Sequence, residues 1–198
     1  MSTLLVKNCH TLVTMDDERQ EIADGALFVR GNVIEQGGLS ADLPQSADDV
    51  LDLQGKHVVL PGLVNTHHHF FQTLTRAVPA AQNSDLFGWL QTLYPIWQNL
   101  TGEGVYVSTQ MAAAELMLSG CTTASDHLYL FPNDCTLDDE IRAAQDIGIR
   151  FHASRGSMSV GESNGGLPPD VLTEKEPDIL KDSQRLIEQY HDYSRHAM

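Results

Sequence analysis

Along the first 60 residues, apolar and β-branched positions come in short runs, Leu4 to Val6, Thr11 to Thr14, Ala26 to Arg30 and Val33 to Gln36, separated by Gly25, Gly31-Asn32 and Gly37-Gly38. Runs of that length between turn residues read as β-strands. Arg30-Gly31-Asn32-Val33 reads as a tight hairpin. Such a unit is too thin to bury much core by itself. A longer apolar run, His57 to Val64, predicts a buried strand interrupted by a turn at Pro61-Gly62.

Beyond it the period lengthens to that of helices. Phe70 to Ala77 predicts a helical turn or two. Ser84-Asp85 offers an N-cap to a helix carrying Leu86, Trp89, Leu90, Leu93 and Ile96, which Pro95 should break or kink near Tyr94. Thr101 caps a second helix with Val105, Met111, Ala112, Leu116 and Met117 inward and Gly120 at its stop. Thr122 to Asp126 predicts a strand, Asp138 to Ile147 a helix ended by Gly148, Ile149 to Ala153 a strand and Leu180 to Tyr190 a helix, with a Gly-, Ser- and Pro-rich loop at 156–170. That alternation is the order of parallel βα units. The chain is therefore α/β, with a β-rich segment at 1–60 and three βα units in 61–198.

The composition, 41% hydrophobic and 20% charged over 198 residues, is that of an ordinary globular chain. A net charge of −15 spread over scattered acids argues against nucleic acid and anionic membranes, which need a basic surface, and leaves a small neutral ligand open. No stretch reaches the ~18 apolar residues of a membrane span, and Met1 to Lys7 lacks a leader pattern. Cys9, Cys121 and Cys135 form no disulfide framework, so a reducing, cytoplasmic setting is expected.

Candidate chemistry concentrates at the end of the first of these strands, in His67-His68-His69. Side chains at i and i+2 of a strand share a face, so His67 and His69 aim together and His68 aims away. Two converging imidazoles make half of a metal site. Three unrelated loop histidines would spell the same letters, but the apolar strand and the Pro-Gly turn leading in favour ligation. Gln72 lies a turn further on, where its amide could donate and accept at a heterocycle edge or simply face solvent. Trp89 and Trp97 could wall a pocket or fill the core. His127 could contact a substrate or make a structural hydrogen bond. Arg155 could hold a substrate carbonyl oxygen or pair with Asp126.

Pro61-Gly62-Leu63-Val64-Asn65-Thr66-His67-x-His69 resembles the metal-dependent amidohydrolase superfamily, in its deaminase and aminohydrolase branch. His68 to Gln82, Leu86-Phe87-Gly88-Trp89-Leu90 and Ser119 to Tyr129 resemble, more particularly, the 8-oxoguanine deaminases and hydroxydechloroatrazine ethylaminohydrolases of that branch. The resemblance implies the N-terminal part of a (β/α)8 TIM barrel preceded by strands of a small β-sandwich. It implies one divalent metal, zinc, held by His67 and His69, with Gln72 binding the base; Trp89, His127 and Arg155 are the further candidates to face a purine or triazine. The implied reaction is hydrolytic deamination of a purine base such as 8-oxoguanine by a homo-oligomeric enzyme. An s-triazine aminohydrolase or chlorohydrolase is the alternative. Nucleoside-acting members carry a Glu in the helix after the Trp-Leu pair. Here Thr92-Leu93-Tyr94-Pro95-Ile96-Trp97-Gln98 has no carboxylate, which favours a free base or a triazine over a nucleoside. The rival zinc signatures, His-x-Glu with Pro-Cys-x-x-Cys and His-Glu-x-x-His, are absent.

A barrel of this kind typically needs about 250 residues. The later ligand His, the second His with its Glu motif and the late Asp of the family do not appear after Arg155, and His191 and His196 fall on or after a polar terminal helix. The expectation is a partial, inactive chain whose open inner face includes Val64, Thr123 and Phe151; a non-catalytic binding fragment is the remaining reading.

Overall fold

The computed structural model describes residues 1–194; His196 lies outside them. The chain divides into two compact units, Met1–Gly62 and Leu63–Met198.

In the first unit β1 (Thr3–Lys7), β4 (Gly25–Arg30), β5 (Val33–Leu39) and β6 (Asp49–Asp52) form a four-stranded sheet in the order β5-β4-β1-β6. The hairpin between β4 and β5 turns on Gly31-Asn32, and Gly31 takes φ 58°, a conformation that favours glycine. Another sheet holds β2 (Thr11–Val13), β3 (Glu21–Ala23) and β7 (Val58–Val59), with β2 in the middle. Leu5, Ala26, Phe28 and Leu43 make the small core of this unit.

The second unit is a parallel sheet, β8 (Leu63–Asn65), β9 (Cys121–Leu128) and β10 (Arg150–Arg155), in that spatial order. Between β8 and β9 lie a 3-10 turn at Phe70–Thr75, α1 (Leu86–Trp97) and α2 (Gly102–Leu118). Between β9 and β10 lies α3 (Leu137–Ile147), and α4 (Glu176–Tyr190) follows β10. The caps are local: Asp85 Oδ1 accepts from the Gly88 N–H at 2.8 Å, and Thr101 Oγ1 from the Gly104 N–H at 3.1 Å. Behind the sheet, Phe70, Ala112, Ala113, Ala124, Ala144 and Ile149 form one buried cluster. Phe71, Leu93, Trp97, Leu128 and Leu130 belong to a larger one. Among the described residues no helix is long and apolar enough to cross a membrane.

Four expectations need correction. The apolar run His57 to Val64 is not one buried strand: Val58–Val59 pair with β2, whereas Leu63–Asn65 pair with β9. Pro61 and Gly62 stand between strands that belong to different sheets, and Leu63 and Val64 are 57% and 62% exposed. The first helix runs through Pro95 to Trp97, because Leu93, Tyr94 and Trp97 are all anchored in the core. It ends just after, where Asn99 Nδ2 donates to the Pro95 carbonyl at 3.0 Å. Met111 and Met117 face outward; the close contact of α2 is carried by the smaller Ala112 and Ala113. Phe151 and Thr123 are half-buried rather than open, Phe151 lying stacked on Phe70 with ring centres 5.7 Å apart.

An ion-pair network docks α4 on α3. Arg185 donates to Asp138 Oδ1 at 2.9 Å and Oδ2 at 2.6 Å, and the Tyr190 hydroxyl donates to Oδ1 at 2.6 Å. The Arg185 guanidinium holds the Asp138 carboxyl below the usual carboxylate range. The pair is partly exposed, so Asp138→Asn should cost about 1 kcal/mol. A depressed folded value means the stabilisation is present above the unfolded carboxylate value and is lost as pH falls through the folded one. Urea unfolding of the two proteins should show a gap at neutral pH that closes in acid.

Candidate active site

The geometry begins where β8 ends. Asn65 Oδ1 accepts from the His67 N–H at 3.1 Å, turning the chain at once. The C-terminal end of β9 then grips the next three residues. The His127 N–H donates to the His68 carbonyl at 3.1 Å, His69 Nδ1 lies 2.8 Å from the His127 carbonyl, and Asp126 Oδ1 accepts from the Phe70 N–H at 2.6 Å. A carbonyl can only accept, so Nδ1 of His69 carries a proton, which in the neutral ring puts the lone pair on Nε2. Backbone anchoring of that kind orients a metal-ligating imidazole. Below, Phe70 and Phe71 plug the segment into the core.

The rings of His67 and His69 stand edge to face, 5.2 Å between centres. His68 turns elsewhere, its ring 4.7 Å from that of Phe70 and its Nδ1 buried and 3.9 Å from Asp126 Oδ1. The imidazole pair suits a borderline divalent ion, but catalytic zinc sites use three protein ligands. Among the described residues no group of three or more His, Cys, Asp or Glu gathers to hold a metal. By themselves the two imidazoles fall short of the three protein ligands of a catalytic zinc site.

A cavity of about 550 Å³ opens beside the pair, bounded by Gln72, Leu86, Trp89, Leu90, Tyr94, His127, Tyr129, Ser157 and Met158. That volume is in the range of small-molecule sites. The Gln72 Nε2 donates to the Tyr129 hydroxyl at 3.4 Å, leaving its carbonyl and one N–H for a ligand. Burial pushes the Tyr129 phenol up, so it stays protonated. Burial, with the neighbouring His69 and His67, pushes His127 down toward the neutral form. Trp89 borders the cavity while packing on Trp97, and Trp97 itself is core, with Nε1 donating to Thr75 Oγ1 at 3.1 Å. Gly156 stands close to His127: a Cβ there would meet His127 Nε2 at 2.2 Å and Tyr129 Cβ at 2.6 Å, so a larger residue would force the ring to shift.

Arg155 is placed otherwise. Its side chain is 7% exposed, donates to Glu174 at 2.9 Å and Asp182 at 3.2 Å, and stacks 4.4 Å over Phe131. It borders neither the large cavity nor a smaller one of about 260 Å³ around His67 to His69. The pairing with Asp126 is replaced by one with Glu174 and Asp182, and the guanidinium ties the 156–175 segment to α4 instead of facing a ligand. His152 and His191 are exposed, away from the pair, the latter against Tyr193.

Sequence reasoning missed Tyr129 and Met158 as cavity walls, and it missed a buried pair of acids, Asp126 and Glu140. The acids did leave a signal. Asp126 occupies the same face of its strand as Ala124 and Leu128, and Glu140 sits on the Leu137, Ile141, Ala144 stripe of α3.

The sequence matches the profile of the Amidohydrolase family over residues 58–197. It is 47% identical over 173 residues to 8-oxoguanine deaminase from Pseudomonas aeruginosa, covering 86% of this chain and 38% of that protein. It is 35% identical over 213 residues to hydroxydechloroatrazine ethylaminohydrolase from a Pseudomonas species, covering 100% of this chain and 44% of that one. The fold superposes on atrazine chlorohydrolase from Arthrobacter aurescens complexed with zinc at a TM-score of 0.88 and 30% identity, covering 96% of this chain and 44% of that one. The chain therefore spans about two fifths of the length of these relatives.

Proposed function

Because this chain belongs to the amidohydrolase family, we propose that it forms the nucleobase-binding, two-histidine side of a metal-dependent aminohydrolase that releases ammonia from a purine such as 8-oxoguanine. On this reading β8, β9 and β10 are the first three strands of a (β/α)8 barrel, and the strands of residues 1–62 belong to a β-sandwich that accompanies it. The observation that carries the proposal is the His67–His69 pair opening onto a cavity that presents the amide of Gln72 and the ring of Trp89. The placement agrees with the general rule that barrels keep their chemistry at the C-terminal ends of strands. A divalent ion, zinc by analogy with the zinc-bound relative, would supply Lewis acidity and a water of lowered pKa. The described residues offer two of its ligands, and at least one more donor has to come from outside them. What this chain's own residues do is orient. His127 fixes the tautomer of His69, Tyr129 holds Gln72, Gln72 reads the edge of the base, and Trp89 offers a face to its ring.

An s-triazine is the second reading, favoured by the 35% identity to the ethylaminohydrolase. Both rings present donor–acceptor edges to Gln72, so ligand choice separates the readings. Quenching of tryptophan fluorescence should report 8-oxoguanine binding more tightly than guanine or hydroxyatrazine. Gln72→Ala should weaken 8-oxoguanine binding by about 1–3 kcal/mol, the cost of an unpaired buried polar edge, with divalent-metal binding unchanged. Equal affinity of the wild type and the variant for every purine would remove Gln72 from the site, and tightest binding of hydroxyatrazine would favour the triazine reading.

A further inference from the structure

Beneath the histidine segment lies a group the reaction does not use. Glu140, on α3, has no exposed surface, and it meets Asp126, on β9, side chain to side chain. Apart from each other, Asp126 Oδ2 and both oxygens of Glu140 have no hydrogen-bond partner. Asp126 borders the small cavity around the histidines, whereas Glu140 lies on α3, whose Ala144 belongs to a buried apolar cluster with Phe70, Ala112, Ala113 and Ile149. No Lys or Arg pairs with either acid among the described residues, and His68 Nδ1, at 3.9 Å, is too far to hydrogen-bond. Two touching carboxylates cannot both stay charged in such a place. One has to keep its proton and donate it to the other. Asp126 Oδ1 already accepts the Phe70 N–H, an arrangement that suits the charged acceptor, so the proton belongs to Glu140. Burial and the neighbouring Asp126 charge push the Glu140 carboxyl up, in the same direction.

We propose that Glu140 is a positioning residue: as a neutral acid in the core it donates a hydrogen bond to Asp126 and so fixes the carboxylate that holds the Phe70 amide and the His67–His69 segment. The chain of contacts is short: α3 sets Glu140, Glu140 sets Asp126, and Asp126 sets the backbone one residue after His69. The consequence for metal binding rests on the reading of His67 and His69 as ligands, whereas the consequence for the backbone does not.

Two variants test it in the 198-residue chain. Glu140→Gln keeps size and a donor; Glu140→Met keeps size and removes the donor. Hydrogen exchange read by mass spectrometry on peptides covering 66–73 should be as slow in Glu140→Gln as in the wild type. In Glu140→Met it should be about tenfold faster, with peptides of residues 3–30 unchanged, because a buried carboxylate left without its donor releases the amide it holds. Cobalt(II) affinity should fall in Glu140→Met and recover in Glu140→Gln. If Glu140→Met does not fold, wild-type exchange in Glu140→Gln is rescue by the donor and supports the proposal. Exchange accelerated alike in both variants, or in neither, overturns it. Exchange that follows the prediction while cobalt affinity stays constant supports the positioning role and removes His67 and His69 from the metal.

Discussion

Residues 1–198 expressed alone should release no ammonia from 8-oxoguanine or hydroxyatrazine and should migrate as oligomers. The sheet of the second unit has three strands, and β8 and β10 each pair only with β9 among the described residues, leaving two open edges. Open edges are templates for association. The exposure of Leu63 and Val64 on β8 adds apolar surface of the kind that soluble monomers rarely present. Turnover should fail for a separate reason. Two imidazoles leave a catalytic ion short of its usual three protein ligands. Asp126, the carboxylate that borders the small cavity, is buried and already holds the Phe70 N–H, so it is not free to move protons for a substrate. Analytical ultracentrifugation with an ammonia assay checks both halves. A monodisperse monomer with turnover would require ligands that the geometry does not offer.

His67→Ala and His69→Ala should each abolish zinc retention, while His68→Ala should leave it close to that of the wild type. If His67 and His69 are the ligands, either alanine leaves a single one of the two, and one imidazole does not hold an ion through dialysis. His68 makes a different contribution. Its ring lies against Phe70 and its Nδ1 is buried without a partner, so its removal should change stability rather than metal content. Metal analysis after dialysis against zinc, together with thermal unfolding, separates the two effects. Zinc loss greatest in His68→Ala would mean that the alternation of side chains is read in the wrong register.

Much of this arrangement is legible in the chain itself. Alternating strands and helices, with Asp85, Thr101 and Gly148 as punctuation, announce the βα order, because caps and turn residues act within a few positions. That the rings of His67 and His69 stand together while His68 turns elsewhere follows the alternation of an extended chain, although the three residues lie beyond the end of β8. What is not legible depends on partners distant in sequence. Nothing around Arg155 indicates that Glu174 and Asp182 will close on it, so a residue at a strand end looks free to meet a ligand. Pro95 reads as a break by its local cost, which the burial of Leu93, Tyr94 and Trp97 outweighs. The Val58 to Val64 run looks continuous because hydrophobicity does not record that its strands belong to different sheets. Asp126 and Glu140 lie on apolar stripes, where an acid signals a partner, but the identity of that partner needs the packing of α3 on the sheet.

X-ray absorption at the zinc edge of the metal-loaded chain reads directly whether His67 and His69 bind the ion. Two imidazole nitrogens are expected, the remaining coordination being oxygen from solvent, with loss of one imidazole in His67→Ala and in His69→Ala. Three or more protein ligands, sulfur bound to the metal, or a spectrum unchanged by those substitutions would contradict that expectation.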